Sequence, residues 1–149
     1  MQTIQDVEKK LYNYAILQRR LRELQEQADE ILGQRNALVD GLLRAPRLDD
    51  VRVQGGCTSD PVFAAVQKMI DVYGVRLDAI RNEIVDVFYH IDETERIMNN
   101  ARLTEQERQY VQLRYFDGMR ASHTAAKMNF SESQTLRIKR SALKKMTGK

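Results

Sequence analysis

The sequence predicts an all-α protein: a long antiparallel helical hairpin of coiled-coil type, then a C-terminal domain of three short helices. Three observations predict it. Two stretches of about 40 residues each, before residue 44 and after residue 60, carry apolar side chains alternating by three and four. Pro occurs twice and Gly seven times in 149 residues, few breakers for a sheet-rich or loop-rich chain. Beyond residue 101 the pattern shortens, and two capping signatures announce short helices.

The first helix is expected over residues 3–43. Its stripe runs Val7, Tyr14, Leu17, Leu21, Leu24, Ala28, Ile31, Leu38 and Leu42, with Arg35 interrupting one core position. Residues 44–60 break the pattern through Pro46, Asp49–Asp50 and Gly55–Gly56, so a long loop is expected there, with a short extended piece near Val51–Val53. Asp60, or alternatively Ser59, is the N-cap of the second helix, and Pro61 suits its first position.

The second helix has the stricter pattern. Phe63, Val66, Ile70, Tyr73, Leu77, Ile80, Ile84, Val87, Ile91, Thr94, Met98 and Ala101 alternate by three and four, and all but Thr94 are apolar. At ~1.5 Å per residue this stripe is ~57 Å long, matching the first helix, so the two should fold back on each other. The strict heptad implies a left-handed supercoil. A second apolar row, Val62, Ala65, Met69 and Val72, runs beside the main stripe. Ile16, Leu32, Val39 and Leu43 form its counterpart on the first helix. These rows either widen one core stripe or are covered by a second copy, and a homodimer or higher homo-oligomer through the hairpin is the economical reading.

Residues 1–101 are therefore expected to be a hairpin domain, and residues 102–149 a separate one. In the second, Thr104 with Glu107 is a capping box opening a helix to about Asp117, ended by Gly118. A short helix near Arg120–Met128 follows. Asn129 tolerates positive φ and supplies a turn. Ser131 with Gln134 then caps a final helix to about Met146. The net charge of +3 is unevenly divided. Residues 102–149 hold 11 Lys/Arg and 4 Asp/Glu, whereas residues 1–101 hold 13 and 17. A basic end on a mildly acidic scaffold suggests either a polyanion partner, such as double-stranded DNA, or a solvated basic helix.

A short helix, a tight turn and a basic helix make a helix-turn-helix. Thr135, Ile138, Ala142, Leu143 and Met146 provide the docking face of the final helix. Its other face offers Glu132, Ser133, Gln134, Leu136 and Arg137 for base contacts. Gln reads adenine, Arg reads guanine, Glu accepts from the cytosine amino group and Leu meets a thymine methyl. Lys139, Arg140, Lys144 and Lys145 are placed for phosphate contacts.

The runs Leu103-Thr104-Glu105-Gln106-Glu107-Arg108, Leu113-Arg114-Tyr115-Phe116-Asp117-Gly118, Phe130-Ser131 and Ala142-Leu143 resemble region four of bacterial sigma factors. Together with the loop Val53-Gln54-Gly55-Gly56-Cys57-Thr58-Ser59-Asp60-Pro61-Val62, the whole chain resembles phage and prophage transcriptional regulators of the ArpU/RinA type. The resemblance implies a late-gene activator that binds promoter DNA and contacts RNA polymerase, in the cytoplasm and at the nucleoid of a bacterial host. It also implies phosphate contacts from Arg120, Ser122 and His123 at the start of the short helix. Arg120 and Ala121 stand where that family commonly has Ser and Trp, Thr124 replaces an aliphatic residue and Asn129 replaces a turn glycine. The short helix is accordingly expected to be poorly capped and lightly packed. A phage terminase small subunit binding packaging-site DNA and a coiled-coil protein-interaction adaptor are the alternatives.

Other chemistries find little in the sequence. His90 and His123 have no companion ligands at metal spacing, Cys57 has no partner base, and Gly55–Gly56 lacks the Lys–Ser/Thr of a phosphate loop. No nucleophile–base–orienter set is legible, so neither enzyme activity, a metal nor a cofactor is expected. A single cysteine excludes an intramolecular disulfide, and no apolar run approaches a membrane span.

Overall fold

The computed structural model describes residues 2–44 and 61–148, with only the backbone of residues 42–44, 61 and 62. The expected loop over 44–60, with the caps Asp60 and Ser59 and Cys57, lies outside the described residues apart from the backbone of Arg44. The described chain is helical: α1 Ile4–Arg44, α2 Pro61–Lys68, α3 Val75–Asn100, α4 Glu105–Val111, α5 Ala121–Met128 and α6 Glu132–Met146. π-Helical hydrogen bonding, from residue i to i+5, fills Met69–Gly74 between α2 and α3, and Gln112–Phe116 after α4. No helix among the described residues is long and apolar enough to cross a membrane.

The start of α1 is held by reciprocal bonds. The Thr3 hydroxyl accepts from the Asp6 amide at 3.1 Å, and the Asp6 carboxylate accepts from the Thr3 amide at 3.0 Å. This satisfies donors that a helix start leaves orphaned.

Two compact units divide the chain. The first contains Met1–Leu21 and Asp86–Lys149, the second Arg22–Val85. Val7 and Leu11 of α1 are each 1% exposed. They share one core with Leu103, Tyr110, Val111, Leu113, Tyr115, Met128, Ala142, Leu143 and Met146. Ile97, Met98 and Ala101 at the end of the hairpin border the same core. A domain of 48 residues can bury only a small core, and here the base of the hairpin completes it. Leu11 is absent from the expected stripe, although it stands four residues after Val7 and three before Tyr14. An ion pair between Lys10 and Glu93, and the Tyr14 hydroxyl donating to Glu95 at 2.8 Å, tie α1 to α3 beside this core.

The second unit departs from the strict heptad. Beyond the π-helical segment the expected stripe is covered: Leu77, Ile80 and Ile84 are half-buried, as Val87, Ile91 and Thr94 in the first unit are buried. Before it, Phe63, Val66 and Ile70 are 67%, 42% and 62% exposed, while Ala65 and Met69 are half-buried. A π-helical turn inserts one residue, which rotates the covered face by ~100° and moves it one position back along the sequence. Ala65, Met69 and Val72 are thus the continuation of the core stripe, and Phe63, Val66 and Ile70 are turned outward.

Candidate nucleic-acid interface

The C-terminal helices follow their capping signals closely. Thr104 and Glu107 form a complete capping box on α4, and Ser131 and Gln134 form one on α6. Gly118 has φ 71° after the π-helical end of α4, and Asn129 has φ 58° in the turn before α6. Arg102, in the connection from α3 to α4, also has positive φ, at 48°, which no residue preference announced.

The short helix α5 has no side-chain cap: Arg120 makes no such bond. It is nevertheless well packed, against expectation. Thr124 is fully buried and its hydroxyl donates to the Arg120 carbonyl at 3.0 Å, with Ala125 and Met128 buried beside it. The hydroxyl satisfies itself on the preceding turn, so a threonine can stand where an aliphatic residue was expected.

On α6 the expected docking face is inward: Thr135, Ala142, Leu143 and Met146 are buried and Ile138 half-buried. All five residues expected at bases, Glu132, Ser133, Gln134, Leu136 and Arg137, are exposed. They do not share one face. Ser133, Arg137, Arg140 and Lys144 are spaced four, three and four apart, one outward ridge opposite the core, and all are exposed. Leu136 lies to one side, lining a cleft with Ile4 of α1. Gln134 lies to the other, and its carbonyl oxygen already accepts from the Ser131 amide at 3.0 Å. A bidentate adenine contact needs that oxygen as well as the amide nitrogen, so the cap and the base compete for it.

The expected phosphate contacts are sorted by neighbouring acids. Arg120, Ser122, His123, Arg140 and Lys144 are exposed. Lys139 is paired with Glu8 of α1 at 2.8 Å, and Lys145 with Glu107 of α4 at 2.8 Å. Glu107 is only 5% exposed and also accepts from the Ser141 hydroxyl at 2.6 Å and the Thr104 amide at 2.8 Å. One carboxylate therefore caps α4 and clamps α6. Burial pushes its pKa up, but the bonds from Lys145, Ser141 and Thr104 outweigh this and hold it below the usual glutamate value. Glu8 is likewise lowered: burial raises it, and bonds from Lys139 and Tyr115 more than offset that. Sequence reading missed these two acids as partners because each stands far along the chain from its lysine.

Ser122 shares a shallow cleft with Glu132, Ser133, Leu136 and Lys139, along with Arg114. Arg114 is half-buried, donates to the Met119 carbonyl at 3.1 Å and lies 5.8 Å from the Tyr12 ring centre. It braces the connection into α5. The interface thus offers a hydroxyl and three guanidinium or ammonium groups on an exposed ridge at major-groove scale, with hydrogen-bonding groups at its N-terminal end.

Neither the curated proteins nor the solved structures include a match to this chain. Residues 101–147 match the family described as Sigma-70, region 4. The C-terminal part of the chain is a sigma-factor-like DNA-binding helix-turn-helix.

Proposed function

We propose that the chain is a transcriptional regulator activating late genes of a phage or prophage, with α6 in the major groove of promoter DNA. The observation that carries this reading is the outward ridge Ser133–Arg137–Arg140–Lys144 on a helix whose opposite face is buried. Arg137, with Ser133 and Glu132, reads base edges; Leu136 meets a thymine methyl at the margin of the groove, and Gln134 contributes through its amide nitrogen. Arg140 and Lys144 neutralise phosphate, and Arg120, Ser122 and His123 touch the flanking backbone. Lys139 and Lys145 have a smaller part than their charge suggests, since each is paired within the protein. RNA polymerase is the protein partner, as the sigma-like domain supports.

The hairpin brings two copies together, so that two recognition helices meet two half-sites. The outward Phe63, Val66 and Ile70 favour this reading, as apolar surface in search of a cover. The test is recovery of DNA bound by the chain in its native host, repeated with Arg137→Ala. Enrichment of phage late promoters, lost with Arg137→Ala, supports the reading. Enrichment of a packaging site by a ring-forming species points to a terminase small subunit instead. Absence of DNA in a stable complex with other proteins points to an adaptor.

A further inference from the structure

Glu8 sits on α1, over 100 residues from the recognition helix in sequence, yet one of its carboxylate oxygens accepts two bonds, one from that helix and one from the π-helical segment Gln112–Phe116. Lys139 donates to it at 2.8 Å and the Tyr115 hydroxyl donates at 2.8 Å. The site is built rather than incidental. Tyr115 is 3% exposed, and the Glu8 and Lys139 side chains are 25% and 29% exposed. Val7 and Leu11, on either side of Glu8, are locked in the core. Beside the pair opens a cleft of about 560 Å³ lined by Ile4, Leu136, Arg140 and Lys144. Lys139 therefore has room to swing toward the cations of the outward ridge, and Glu8 is what holds it back.

We infer that Glu8 is a specificity-determining residue: it keeps Lys139 off the DNA phosphates, so that the recognition helix meets DNA with fewer free cations. This rests on the DNA-binding reading of α6. The physical reason is the difference between the two kinds of contact. Each cation on a phosphate strengthens binding to every sequence alike, whereas base contacts favour one. An intramolecular acid that withdraws a cation lowers the sequence-independent part and leaves the base-reading part intact. Glu8 also fixes the rotation of α6 through Lys139, which keeps Arg137 aimed at base edges. Nothing in the C-terminal helices supplies this acid; it comes from the hairpin.

The experiment titrates the full-length chain against a mixed-sequence duplex at several salt concentrations, comparing wild type with Glu8→Gln, Lys139→Gln, the double variant and Lys144→Gln. Glu8→Gln is expected to bind more tightly, with a salt slope steeper by about 0.9, which amounts to about eightfold at 0.1 M relative to 1 M salt. The double variant returns to the wild-type slope. Lys139→Gln alone changes the slope less than Lys144→Gln does. A Glu8→Gln chain that stays helical but binds no more tightly overturns the inference. If Glu8→Gln does not fold, a Lys139→Gln effect as large as that of Lys144→Gln overturns it equally. A response to Lys144→Gln without one to Glu8→Gln rejects the role of Glu8 alone, whereas no response to any variant rejects DNA binding by α6.

Discussion

The two halves of α1 carry the same kind of apolar pattern and meet different fates. In the first unit Val7, Leu11 and Tyr14 are buried; among the described side chains along the rest of α1 only Leu24 is, and Ala28, Ile31, Leu32, Leu38 and Val39 remain half-exposed. A heptad stripe specifies that a face is apolar, not how much surface will cover it. The first three turns of α1 are covered from several sides by α4, its π-helical extension and α6. They behave as part of the reader's core.

Truncating one residue in each half of α1 separates their packing. Leu11→Ala should cost about 2–5 kcal/mol in denaturant unfolding and abolish DNA binding, because it opens a cavity in the shared core. Ile31→Ala, at a half-exposed site, should cost well under half as much. Equal losses would mean that the two halves are packed alike. A chain of residues 102–149 alone should fail to fold by circular dichroism, since it lacks Val7 and Leu11.

The next contrast is between two lysines of α6. Glu107→Gln should destabilise the chain by about 1–3 kcal/mol, because it removes a charged acceptor serving Lys145, Ser141 and the Thr104 amide. Lys144→Ala, on the exposed ridge, should leave stability within about 0.5 kcal/mol and lower DNA affinity for all sequences. Unfolding at several pH values sharpens this. Glu8 and Glu107 have folded-state pKa values below their unfolded ones. Their contribution is present above the unfolded glutamate pKa of about 4.3 and is lost as pH falls through the lower folded values. Wild type should therefore lose stability on acidification below about pH 4.5, and Glu107→Gln should lose less over the same interval.

The smallest effects concern helix starts. Thr104→Ala and Ser131→Ala should each cost about 1 kcal/mol in thermal or denaturant unfolding. Arg120→Ala should cost almost nothing, since its side chain caps nothing.

Local physics made much of this chain legible from residues alone. Thr104–Glu107, Ser131–Gln134, Gly118 and Asn129 act over three or four positions, so the short helices and their turns were readable without a partner. The docking face of α6 was readable too, because helical periodicity is a property of one segment. The second helix was readable as a helix but not as a straight stripe. Two apolar rows side by side, Phe63–Val66–Ile70 and Ala65–Met69, were both present in the sequence. Only a one-residue π-helical insertion decided which of them turned inward, and that depends on what packs against the helix.

The pairing of charges lay furthest beyond sequence. Six lysines and arginines in residues 131–149 look equivalent along the chain. Folding brings Glu8 to Lys139 and Glu107 to Lys145, and leaves Arg137, Arg140 and Lys144 outward. Coulomb and hydrogen-bond energies depend on separations of a few ångströms, and such separations between residues more than 30 positions apart exist only once the core has closed. Sequence thus determined helices, caps and the basic character of the end; tertiary structure decided which cations face outward and that α1 completes the reader.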